Sequence, residues 1–120
     1  MKFGNGCWLQ QEGIECFAAQ EAYFITKKEK EVSFCVPTHH IVYRGDTLGG
    51  VNLTVKISSP APEVLRVQTF HYMGVQKKAP EFELNLEPQT LRTEEDEGQI
   101  SIFSGNFGVK ITKNPWSMTF

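Results

Sequence analysis

Strict alternation of apolar and polar residues, in short runs closed by turn formers, constrains this chain more than any other feature. Val51, Leu53, Val55 and Ile57 fall on one side of an extended segment, and Asn52, Thr54, Lys56 and Ser58 on the other. Successive side chains of a strand point to opposite faces, so a period of two describes a ribbon with one apolar and one polar face. Ser59-Pro60-Ala61-Pro62 ends this run, because proline has no N–H to give to a ladder. Glu63 to Tyr72 follows, rich in β-branched and aromatic residues. Upstream, Ala22–Thr26 and Val32–Val36 flank the charged stretch Lys27 to Glu31 and read as a hairpin. Downstream, Ile100–Phe103 and Phe107–Thr112 flank Ser104-Gly105-Asn106, residue types that tolerate the positive φ of a tight turn. Asn114-Pro115 then introduces a last alternating run, Trp116-Ser117-Met118-Thr119-Phe120.

About seven short strands, with a turn signal roughly every 8–12 residues, predict an all-β fold, an antiparallel sandwich or barrel. Gln10 to Gln20 is the one segment with any helical character, and Gly13 inside it argues against a helix. The 120 residues are expected to form one domain, 1–120. A chain of this size buries about two-thirds of its unfolded surface and needs no staples. Three cysteines, Cys7, Cys16 and Cys35, without a C-x-x-C spacing, suggest neither a disulfide framework nor a zinc site and point to a reducing compartment. Met1 to Gly6 has no apolar run of the signal-peptide kind, and no stretch approaches the ~20 apolar residues of a membrane span. The expectation is a cytoplasmic protein with no membrane partner. Asn52-Leu53-Thr54 matches the glycosylation pattern but sits inside a strand of such a chain and is set aside.

With a net charge of −2 and its basic residues scattered, the chain is poor material for displacing counterions from a phosphate backbone, so nucleic acid is not an expected partner. Glu94-Glu95-Asp96-Glu97, followed by Gly98, reads as a solvated hairpin tip, since adjacent carboxylates on a turn diverge.

His39 and His40 invite a metal reading, but neighbours on an extended chain face opposite ways, and even with His71 no third and fourth ligand completes a zinc set. Neither a Gly-x-Ser-x-Gly elbow nor a P-loop is present, and Ser104-Gly105 belongs to a turn. Glu81 and Glu83 share one strand face and so lie side by side, whereas glycoside hydrolysis needs two carboxylates across a cleft, roughly 5–10 Å apart. Asp46 lies in a glycine-bounded turn with a structural role. Aromatics in strands pack cores far more often than they bind ligands; Trp8 and Tyr43 are the candidates for exposed rings. The residues alone describe a β-sandwich with no autonomous catalytic constellation.

Taken in order, several stretches resemble the amino-terminal domain of glycoside hydrolase family 31, in particular its bacterial α-xylosidases. They are Met1-Lys2-Phe3 with Gly6 and Trp8-Leu9, then Arg44, Asp46-Thr47-Leu48 and Leu53-Thr54-Val55. Ser59-Pro60, Val64-Leu65-Arg66-Val67 and His71 come next, followed by Pro80, Phe82 and Leu84-Asn85. Ser104-Gly105, Val109 and the ending Trp116-x-x-x-Phe120 complete the series, which spans essentially the whole chain.

The resemblance implies a β-sandwich of the galactose-mutarotase-like type, lying ahead of a (β/α)8 barrel that carries two catalytic aspartates for retaining hydrolysis of α-xylosides or α-glucosides. It implies no cofactor, a non-catalytic role for this chain, and the barrel as its partner, with an α-linked oligosaccharide as the substrate of the whole. A homo-oligomer is a further expectation. On this view the chain is cut from a longer polypeptide, and Trp116–Phe120 is a strand separated from its hairpin partner. The loop 38–50, with His39, His40, Arg44 and Asp46, is the candidate to approach the barrel or the substrate rim; an ordinary surface connection is the competing reading. A free-standing carbohydrate-binding or assembly module is the alternative for the chain as a whole.

Overall fold

The structure is a computed structural model that describes residues 12–71 and 84–120. Among these residues eight strands form two four-stranded antiparallel sheets, each a simple meander. The first holds β1 (Phe24–Lys27), β2 (Glu31–Pro37), β3 (Asn52–Ser58) and β4 (Arg66–Phe70) in that order. The second holds β5 (Arg92–Glu95), β6 (Gln99–Ser104), β7 (Phe107–Thr112) and β8 (Ser117–Thr119). The fold is therefore the all-β sandwich that the alternation predicts.

Register turns the period of two into a core. Phe34 pairs with Val55 and Val32 with Ile57 across β2 and β3; Ile100 pairs with Ile111 and Ile102 with Val109 across β6 and β7. All eight are buried and belong to one apolar cluster with Val36 and Leu91. Phe34 of the first sheet meets Trp116 of the second edge to face, ring centroids 5.3 Å apart, a preferred aromatic geometry. Each such side chain contributes about 1.5–3 kcal/mol on burial. Because strand residues alternate, the intervening Ser33, Cys35, Thr54 and Lys56 are left on the outer face of the first sheet.

The chain also ties the two layers together. Gln20 donates its backbone N–H to Pro37 O (2.9 Å) and accepts from Trp116 N (2.7 Å), while Ala22 N reaches Lys113 O (2.7 Å). At the far end Gln89 N donates to Ser59 O (3.0 Å) and Leu91 N to Glu29 O (2.9 Å). Fully buried Ser59 and Ser104 join hydroxyl to hydroxyl at 2.7 Å across the layers. Ser104 thus serves the sandwich interior as the last residue of β6 as well as leading into its turn, where Gly105 adopts φ +60°.

Four details of the sequence reading take shape here. Residues 12–20 form no helix; Gly13 sits at φ +79° in a turn, and the segment runs on extended to stitch the sheets. The first strand after the proline stop begins only at Arg66, because Ala61 O accepts Val64 N in a turn through Glu63, at φ 59°. Glu94 and Glu95 close β5, and only the residues after them make the tip. Glu95 is held between Lys27 and Lys113, both at 2.7 Å, so the acidic run divides into a clamped strand end and a turn in which Asp96 caps Gly98 N and Gln99 N. Finally, the closing run is paired on one side, β8 with β7, Met118 opposite Ile111, and β8 stands at the edge of the second sheet. The readings placed on Trp8, Tyr72, Glu81 and Glu83 lie outside the described residues.

The central layer should be the least tolerant part of the molecule. Ile102→Ala is expected to cost about 2–5 kcal/mol in urea unfolding with an unchanged m-value. Ser101→Ala, one residue away on the opposite face, is expected to change stability by about 0.5 kcal/mol or less.

Candidate functional site

The connection from β2 to β3 folds down on the outer face of the first sheet. Its neck is closed by Thr38, whose N–H (3.0 Å) and hydroxyl (2.9 Å) both donate to Val51 O. Between these points the chain makes a short 3-10 turn, Arg44–Leu48. Asp46 organises it: one carboxylate oxygen accepts Val42 N (2.9 Å) and Tyr43 N (3.2 Å), and its own N–H returns to Tyr43 O (3.0 Å). Thr47 donates its hydroxyl to Arg44 O at 2.7 Å. The His39 ring reaches across, Nε2 lying 2.7 Å from Asp46 O, and packs against Gly50, where any Cβ would overlap it.

A second brace comes from Glu21. This buried carboxylate accepts Ile41 N (3.2 Å) and lies 2.9 Å from His40 Nδ1 through one oxygen, and accepts Asn114 Nδ2 (3.1 Å) through the other. Tyr23 donates its hydroxyl to Ile41 O at 3.2 Å. The loop is thus fastened to the segment just before β1 and, through Glu21, to the β7–β8 turn, and a cavity of about 310 Å³ remains beneath it. Tyr23, Phe24, Cys35 and Asn52 contribute from the sheet, and Tyr43 and Arg44 from the loop. Three of its rings are open to solvent: Tyr43 is 68% exposed, Phe24 67% and Tyr23 43%.

The four loop residues singled out in the sequence do not converge. His39 and Arg44 border the cavity; Asp46 lies behind it as the turn's acceptor, and His40 faces away toward Glu21. The structural role read for Asp46 stands, and His39 is half-buried with its ring engaged. Tyr43 is the exposed aromatic expected. Among the described residues no three of His, Cys, Asp or Glu gather as metal ligands would. Nor is any helix of these residues long and apolar enough to cross a membrane. Phe24, Cys35 and Asn52 escaped the sequence reading. Their signal is register: Phe24 stands opposite Cys35, and Asn52, two positions from Cys35's own partner Thr54 and so on the same face, exchanges hydrogen bonds with the Cys35 thiol at 3.2 and 3.3 Å.

Comparison with known proteins gives a restricted but continuous similarity. No family model matches the chain. It is 30% identical over 112 residues, 92% of its length, to an α-xylosidase of Lactiplantibacillus pentosus. It is 26% identical over its full length to an α-xylosidase of Emericella nidulans. The similarity is to one short segment of these enzymes. The chain spans 14% and 15% of the length of those two curated relatives.

Hydrogen bonds from Val42 and Tyr43 hold the Asp46 carboxyl below its ordinary value near 3.8. The native state therefore favours the carboxylate. Its contribution to stability is fully present above the unfolded-state value and fades as pH falls through the lower native one. Carboxyl-detected NMR should show this depressed titration, and Asp46→Asn should remove the matching acid limb of loop stability. Gly50→Ala should displace the His39 ring and speed amide exchange across residues 38–50, leaving exchange in β2, β3, β6 and β7 unchanged.

Proposed function

We propose that this chain is the amino-terminal, non-catalytic sandwich of a family 31 glycoside hydrolase of the α-xylosidase kind. The observation that carries the reading is the shape of the similarity: it runs through 92–100% of this chain and only 14–15% of the relatives. An all-β sandwich is also the architecture that the motif order from Trp8-Leu9 to Trp116-x-x-x-Phe120 implies.

On this reading the chemistry belongs to a (β/α)8 barrel in the same polypeptide. Retaining hydrolysis uses a nucleophilic carboxylate and an acid/base partner roughly 5–5.5 Å apart. The sandwich supplies a rigid surface against which that barrel rests, and the braced loop 38–50 is its means of reaching toward the substrate rim. The substrate of the whole is an α-linked xyloside or glucoside, the compartment is the cytoplasm, and the assembly is a homo-oligomer.

The test is the size and activity of the native gene product. An antibody raised against residues 12–71 should detect a polypeptide about seven times heavier than the 13.6 kDa of this chain. The immunoprecipitate should hydrolyse p-nitrophenyl α-D-xylopyranoside, and the 120-residue chain alone should not. A native product of 13.6 kDa, or turnover by the short chain itself, would overturn the reading.

A further inference from the structure

We propose that the cavity beneath loop 38–50 is a sugar-binding site that holds one neutral pyranose ring of an α-linked oligosaccharide, without taking part in its cleavage. The choice of sugar rests on the functional reading above; the site itself rests on the geometry. A volume of about 310 Å³ lies at the lower end of the range for small-molecule sites, roughly 300–1,000 Å³.

The lining selects among ligands. Among the described residues, no aspartate, glutamate or lysine borders the cavity, and Arg44 is the one permanent charge. A strongly charged ligand would find a single exposed counter-ion, so a neutral one fits better. A wholly apolar ligand would strand the polar atoms present. The Asn52 amide is engaged with the Cys35 sulfur at both ends, and sulfur is a weak partner that a hydroxyl readily replaces. Tyr23 donates its hydroxyl hydrogen to Ile41 O and keeps its oxygen lone pairs for an incoming donor.

The rings supply the complementary half. Tyr23 and Phe24 meet edge to face, centroids 5.4 Å apart and planes at 70°, so they present two differently oriented surfaces at the cavity mouth, with Tyr43 on the loop side. The axial C–H groups of a pyranose are apolar and slightly positive and match the negative face of an aromatic ring, while its equatorial hydroxyls project to the sides. Large, exposed aromatics are costly in water unless something covers them. The loop is already fixed by Glu21, Thr38 and Asp46, so binding orders little that was free, which favours affinity for a small ligand.

The experiment is an amide-detected NMR titration of the 120-residue chain with methyl α-D-xylopyranoside and methyl α-D-glucopyranoside. Saturable shifts are expected at Tyr23, Phe24, Cys35, Tyr43, Arg44 and Asn52, with a Kd of about 1–10 mM. Phe24→Ala and Tyr43→Ala remove exposed side chains and keep the fold, which the dispersion of the spectrum verifies; each should weaken binding about fivefold or more. Phe120→Ala removes an equally exposed ring (63%) that does not line this cavity and should leave binding unchanged. No saturable shift at these residues with either glycoside up to about 100 mM, or equal weakening by Phe120→Ala, would overturn the proposal. So would saturation of the cavity by cyclohexanol with neither sugar binding. A heavy, α-xyloside-cleaving native product together with a silent cavity would remove this proposal and leave the functional reading standing.

Discussion

Everything in this sandwich depends on two apolar faces closing on each other. Val32, Phe34, Val36, Val55 and Ile57 line one, and Leu91, Ile100, Ile102, Val109 and Ile111 the other. β-Branched side chains stand stiffly from a pleated strand, so two such faces interdigitate in few ways. Once they do, the outer positions of every strand are set as well. The position of each outward residue, Phe24, Cys35 and Asn52 included, is thus a by-product of core register.

Among the described residues no strand passes from one sheet to the other, so the layers need other ties. Backbone groups of Gln20 and Ala22 bond to Pro37 on one side and to Lys113 and Trp116 on the other, and the Ser59–Ser104 bond does the same at the other end. The Ser59 and Ser104 hydroxyls are fully buried, where an unpaired donor costs about 1–3 kcal/mol. Their mutual satisfaction therefore fixes how one sheet sits over the other, a restraint that non-directional apolar contact does not provide.

Alternation and turn chemistry made the hairpins readable: Val51–Ile57, Val32–Val36, Ile100–Phe103 and Phe107–Thr112 all lie in or directly beside strands. Local patterns failed where tertiary pairing decided the outcome. Glu94 and Glu95 look like turn residues until Lys27 and Lys113, remote in sequence, arrive to hold Glu95. Ser104 looks like a turn residue until Ser59 meets it. The cavity was half legible. Its loop was identified through His39, Arg44 and Asp46, but its sheet-borne wall is assembled from three strands whose relative register no local signal carries. His40 and Asp46 stood out because histidine and aspartate carry chemistry, and the structure spends both on holding the loop.

Glu21 bears a consequence for the range of residues this position accepts. Its two carboxylate oxygens serve two different kinds of donor. Ile41 N is a main-chain group that can only donate, whereas the Asn114 side chain can rotate to offer its oxygen instead. A glutamine here could satisfy both, but in one orientation alone: carbonyl toward the loop, amide toward a flipped Asn114. Aspartate, one methylene shorter, would have to abandon one of the two seams. The fastening is thus directional in hydrogen-bond polarity, strict on the side of the loop and reversible on the side of the β7–β8 turn.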